Sequence, residues 1–189
     1  SGNTAVSGEL DFEKTSQLNL EISQNAITKI IDNGISDLAF DAQKNNKLAK
    51  LSLYKNTENT FFKTLNAKLP SPEFAFENLE VSDISSIKKE LENFETIIIS
   101  LFVPKAKPAN NFEVNDEVFE LLSNLLETKK CIVYVFGNPY VLPLIPNLKK
   151  AFGLIQAYQD FEEFQKTAGI QFFEKNSFNG VLPVNIDIQ

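Results

Sequence analysis

From about residue 47 the chain alternates between short apolar runs and stretches of helical spacing. LAKLSLY at 48–54 sets Leu48, Lys50, Ser52 and Tyr54 on one side and Ala49, Leu51 and Leu53 on the other, the period of a strand. Phe61, Phe62, Leu65 and Leu69 then recur at helical spacing. Thr57 is the expected N-cap, Glu58 suits the first turn, and Pro70 and Pro72 stop the helix. A short strand is expected at 74–79, and Ser82 is expected to cap a helix carrying Ile84, Ile87, Leu91 and Phe94 on one stripe. TIIISLF at 96–102 and CIVYVF at 131–136 are nearly continuous apolar runs, which reads as strands buried on both faces of a parallel sheet. Between them Asn115 opens a helix with Val118, Leu121, Leu122 and Leu125 as its buried stripe. Asp116 and Glu117 at its start and Lys129 and Lys130 near its end suit the helix dipole.

Residues 139–145 read as a short helix or turn after Gly137, and 154–158 as a further strand. Asp160 and Glu163 match a capping box for a helix with Phe161, Phe164, Ala168 and Phe172 inward. Gly180 precedes the extended run VLPVNI, and Pro183, which cannot donate to a ladder, places that strand at an edge. At the other end, residues 1–15 are polar and aperiodic and read as a tail or linker. Leu18, Ile22 and Ile27 suggest one short helix, residues 26–31 a strand or the helix end, and Asn33-Gly34 a turn. The β-α-β-α alternation predicts an α/β fold over residues 16–189: a three-layer sandwich, a mostly parallel sheet with helices on both faces and an edge strand near the C-terminus.

Length and composition narrow the function. A chain of 189 residues suits one domain and is too short for a (β/α)8 barrel of about 250. With 43% hydrophobic and 23% charged residues it can bury a real core. It has no His, so the commonest general base and metal ligand is missing, and all 18 basic residues are Lys, so guanidinium recognition of phosphate is missing too. A net charge of −7 repels nucleic acid. The single cysteine, Cys131, excludes an internal disulfide and a zinc finger, and no apolar run reaches the roughly 18 residues of a membrane span. No metal site and no cofactor site is expected. The chain opens on Ser1-Gly2 without Met, as expected of a piece excised from a longer protein.

Ligands of open α/β sheets bind at the carboxyl ends of the strands, so three loops are the candidates. At 54–60, hydroxyls of Thr57 and Thr60 at a helix N-terminus resemble the phosphate loop of flavodoxins, but Glu58 sits where an anion would go and the loop has no glycine, which favours an ordinary cap. At 136–140, Gly137 permits a tight turn, while Asn138 and Tyr140 project polar groups that either stabilise the loop or form a contact surface. At 158–160, Asp160 reads as an N-cap. Lys44, Lys47, Lys50 and Lys55 read as surface residues, and Cys131, in an apolar strand with no His to activate it, reads as core. No triad, P-loop or metal cluster is present in the pattern, and no catalytic residue is assigned.

The GNPY turn at 137–140, the AYQD stretch at 157–160 and GVLPV at 180–184, in that order and spacing, resemble the C-terminal α/β domain of family-three glycoside hydrolases, most closely the β-N-acetylglucosaminidases of the Bacteroidetes type. The likeness extends over roughly 18–188, with GIQFFEKNS departing from the small-residue run usual in the family. It implies an accessory domain whose partner is a catalytic barrel of the same parent chain, bearing the nucleophile. Asn138 and Tyr140 become candidates for the interface or cleft, and carbohydrate contact is expected only in the full-length enzyme. Alone the domain should hydrolyse nothing, because retaining hydrolysis needs two carboxyl groups about 5–5.5 Å apart across the bond. The resemblance places the parent in the periplasm or cell envelope. The competing expectations are a free-standing flavodoxin-like binding module and a scaffold domain for protein contacts.

Overall fold

The two runs with the strongest apolar signal lie side by side at the centre of the sheet. β4 (Thr96–Phe102) and β5 (Lys130–Phe136) pair in parallel, with Ile97 opposite Cys131 and Phe102 opposite Phe136. The computed structural model describes residues 3–42, 47–175, 178–182 and 185–189. Around this pair stand β1 (Thr28–Asp32), β2 (Leu48–Leu53), β3 (Glu73–Phe76) and β6 (Gly153–Gln156), in the order β1-β6-β5-β4-β2-β3. All neighbours are parallel except β1, which runs antiparallel to β6 with a bulge between Lys29 and Ile31.

Alternation along each strand divides the core in two. Ile97, Ile99 and Leu101 of β4 and Cys131, Val133 and Val135 of β5 face α4 (Val81–Glu90) and α5 (Asp116–Thr128). Ile98 and Phe102, with Ile132, Tyr134 and Phe136, face α2 (Ile35–Ala42), α3 (Thr60–Asn66) and α6 (Glu162–Gln171). Each of the isoleucines, leucines, valines and phenylalanines among them stabilises the fold by about 1.5–3 kcal/mol through burial. On the second face the abundant phenylalanine forms a cluster: Phe61 lies 4.5 Å from Tyr134 and Phe102 stacks on Phe136 at 4.7 Å between ring centroids. The expected three-layer α/β sandwich is therefore present.

The differences are local. The stretch expected to be an aperiodic tail is helical from Asn3, as the start of α1 (Asn3–Ala26). Leu18 and Ile22, whose spacing suggested a short helix, are exposed on this longer one; Ser23 of α1 is buried, its Oγ 2.7 Å from Thr167 Oγ1 of α6. Three caps move. α3 is capped by Asn59, not Thr57, because the Asn59 Oδ1 reaches the Phe62 N–H at 2.8 Å. α4 begins after Glu80 rather than at Ser82, and Asp83 reaches back to the Glu80 N–H. α6 begins after Phe161, so Asp160 and Glu163 form no capping box. Asn115 does precede α5, but its amide donates to the Leu79 carbonyl at 3.0 Å.

The antiparallel edge strand is β1 near the N-terminus. No strand follows β6 among the described residues, and Pro183 and Val184 of the expected C-terminal edge strand lie outside them. Gly180 still lies along this edge, donating its N–H to the Ile27 carbonyl. Lys44, expected at the surface, also lies outside the described residues. Lys50, expected at the surface, is instead fully buried, because α3 and β3 close over its strand face and supply acceptors for its ammonium.

Candidate functional site

Strand order and helix placement create a crevice at one end of the sheet. β2 leads to α3 on one face, while β4, its neighbour, leads to α5 on the other. Their following loops diverge, which is the switch-point geometry where open α/β sheets take ligands. A groove of about 510 Å³ lies there, walled by Tyr54, Lys55, Val103, Pro104, Glu113 and Asp160 among others. A second groove of about 400 Å³ adjoins it and adds Gly137, Asn138 and Tyr158.

All three sequence-predicted loops reach this edge. Lys55 of the first stands 3.6 Å from the Asp160 carboxylate of the third, and its Nζ lies 5.0 Å from the centre of the Phe102 ring. In the second, Asn138 is the staple: its Oδ1 accepts the Tyr140 N–H at 2.9 Å and its Nδ2 donates to the Ala106 carbonyl at 3.0 Å, across to the loop after β4. Gln156 supports the turn from below, donating to the Gly137 carbonyl at 2.6 Å. Gly137 has φ +144, and a Cβ there would sit 2.6 Å from the Val103 Cβ, so this close loop contact requires glycine. The Tyr140 ring is left 54% exposed, with Leu144 exposed nearby on the same 3-10 helix, Pro139–Leu144.

One wall escaped the sequence reading. Asn110, Asn111, Phe112 and Glu113 all have left-handed φ, between 52° and 62°. Such a conformation costs roughly 1–2 kcal/mol per L-residue, least for asparagine. Burial of Phe112 in the core and the Lys105 N–H to Phe112 carbonyl bond hold it. The Asn-Asn pair after Pro108 was the available signal. Asp160, expected as a cap, instead contributes its carboxylate to the groove.

The 54–60 loop is built as a cap. The Phe62 N–H is taken by Asn59, the Phe61 N–H by Gln165 at 3.3 Å and the Glu58 N–H by Asn56 at 3.0 Å. Glu58 pairs with Lys63 at 3.1 Å. The amides a phosphate would require are thus already engaged by side chains. Among the described residues no group of three or more acidic or cysteine side chains is placed to hold a metal ion. Likewise no helix there is long and apolar enough to cross a membrane.

No family model matches the chain, and no curated protein matches it. Solved structures do. A glycoside hydrolase family 3 β-N-acetylglucosaminidase from Paenibacillus sp. superposes with a TM-score of 0.64 at 12% identity, over 90% of this chain and 32% of that one. The β-glucoside phosphorylase BglX gives a TM-score of 0.63 at 17% identity, over 88% and 30%. A β-glucosidase from Listeria innocua gives 0.59 at 10% identity, over 82% and 25%. The fold is therefore one that family-three glycoside hydrolases contain, as the sequence resemblance implied. The chain spans about a third or less of these matched structures.

Proposed function

We propose that this chain is the accessory C-terminal domain of a family-three glycoside hydrolase of the β-N-acetylhexosaminidase type. Its carboxyl-edge loops meet the catalytic barrel of the parent chain and help to shape the substrate cleft. The observation that carries this reading is the stapled turn at 136–140: Asn138 spends both ends of its amide on the loops, the turn walls the second groove through Gly137 and Asn138, and Tyr140 is left exposed on it. An exposed aromatic with a polar tip on a rigid turn suits an interface. The likeness to the Paenibacillus enzyme supports the hexosaminidase type, although β-glucosidases share the fold.

The test is paired. The isolated chain should not turn over aryl N-acetyl-β-glucosaminides. In the full-length parent, Tyr140→Ala should weaken domain docking by about 1–3 kcal/mol, the range for an interface aromatic, read by limited proteolysis and activity. Melting of the isolated domain should change less. Unfolding of the fragment with unaltered docking in the parent would place Tyr140 in the core and refute the interface.

A further inference from the structure

The one fully buried charged side chain among the described residues lies away from the groove. Lys50, on β2, is fully buried. Its Nζ donates to the Asn66 Oδ1 on the last turn of α3 and to the Leu69 carbonyl at 3.2 Å. It also lies 3.2 Å from the Glu73 Oε1, and Glu73 is its partner in the β2–β3 ladder. Glu73 in turn accepts the Asn66 Nδ2–H. The Phe62 ring lies over the ammonium at 5.7 Å. One carboxylate thus contacts both a buried amine and the carboxamide that the amine touches.

We propose that Lys50 and Asn66 join spontaneously in an intramolecular amide bond, with Glu73 as the proton carrier. Burial lowers the Lys50 pKa, only partly offset by the Glu73 charge, so the neutral, nucleophilic amine is more accessible than in water. Glu73 takes a proton from Lys50, and Nζ attacks the Asn66 Cγ, forming the N–C bond as the carbonyl electrons move to Oδ1. On collapse the Cγ–Nδ2 bond breaks. Of the three protons of the ammonium, one remains on the new amide. The other two pass through Glu73 to the leaving NH2, which departs as ammonium, and Glu73 is returned as carboxylate. No oxidant or co-reactant is needed. Glu73 is one-fifth exposed, which opens an exit for the leaving group. The link would tie α3 to the sheet with a residue separation of 16.

The experiment is intact mass spectrometry of the denatured protein after prolonged incubation at physiological temperature, followed by peptide mapping. The expected mass is lower than the sequence mass by one ammonia, with a branched peptide joining Lys50 and Asn66 and no tryptic cleavage after Lys50. Glu73→Gln should retain the full mass over the same time. The full mass in the wild-type protein, with cleavage after Lys50, overturns the proposal. So does an ammonia loss that persists in Lys50→Ala, since that loss would come from another site, such as the Asn33-Gly34 turn. Equal cross-linking in Glu73→Gln would overturn the role given to the carboxylate.

Discussion

The Tyr54 hydroxyl oxygen accepts the backbone N–H of Asn115 at 2.9 Å, tying the loop after β2 to the start of α5 across the switch-point groove. Tyr54 itself has φ 67, so the chain leaves β2 through a left-handed residue to place this ring. Burial raises the phenol pKa above its usual 10.0, with the Glu117 charge adding to it and the Asn115 hydrogen bond opposing it. The unfolded chain therefore releases this proton first, and the Tyr54 contribution to stability falls as pH rises above about 10. Tyr54→Phe should cost about 0.5–1.5 kcal/mol near neutral pH and flatten that alkaline slope. Urea titrations of both proteins at neutral and alkaline pH give the comparison, and identical slopes would show that Tyr54 does not titrate in this way.

Asp32 makes the opposite case. Its Oδ1 accepts the N–H groups of Gly34 at 3.0 Å and Ile35 at 2.9 Å, capping α2, and its other oxygen meets Lys29 at 2.6 Å. Burial pushes its pKa up, but the hydrogen bonds from Lys29, Ile35 and Gly34 together outweigh this and leave it below 3.8. A depressed carboxylate stabilises above its unfolded pKa and loses that contribution as pH falls through the folded one. Asp32→Ala should cost about 1 kcal/mol at neutral pH, with the deficit shrinking in strong acid. An unchanged deficit throughout would assign the loss to packing instead.

Cys131 is fully buried, with its thiol donating to the Leu125 carbonyl at 3.3 Å. Burial pushes its pKa up to about 12, against a smaller pull from Lys129. A disulfide exchange reagent should leave the native protein unlabelled at neutral pH and modify it only as denaturant unfolds it. Rapid labelling without denaturant would contradict the burial.

Gly137→Ala should destabilise by more than about 1 kcal/mol, since alanine neither adopts φ +144 readily nor fits against Val103. Adding Val103→Ala should recover the steric part only, because the backbone conformation remains unfavourable. Full recovery in the double variant would mean that conformational strain is negligible there. Thermal melting of the two single variants and the double variant decides it.

Features with a strong local cause were legible in the sequence. β4 and β5 needed only their apolar runs, and the buried stripe of α5 needed only its spacing. At the site, the 136–140 turn followed from Gly, Asn and Pro after a buried strand. What escaped depends on distant partners. The Lys55–Asp160 pair joins loops more than a hundred residues apart. Lys50 looked like a solvent residue because alternation identifies a strand face without identifying what covers it. Asn59 and Thr57 are both good caps by residue type, and only the path out of β2 selects Asn59.

The bulge in β1 bears on how copies of this chain can meet. A flat, regular edge recruits strands from other molecules, and aggregation follows. Here one rim of the sheet is interrupted between Lys29 and Ile31 and met by the Gly180 backbone, while the other, β3, is only four residues long. Neither rim is a good template for cross-molecular strand growth. Exposed apolar area lies instead at the loop end and on an outer helix face, at Tyr140 and at Leu18 and Ile22 of α1, away from the strand edges that template fibre-like stacking.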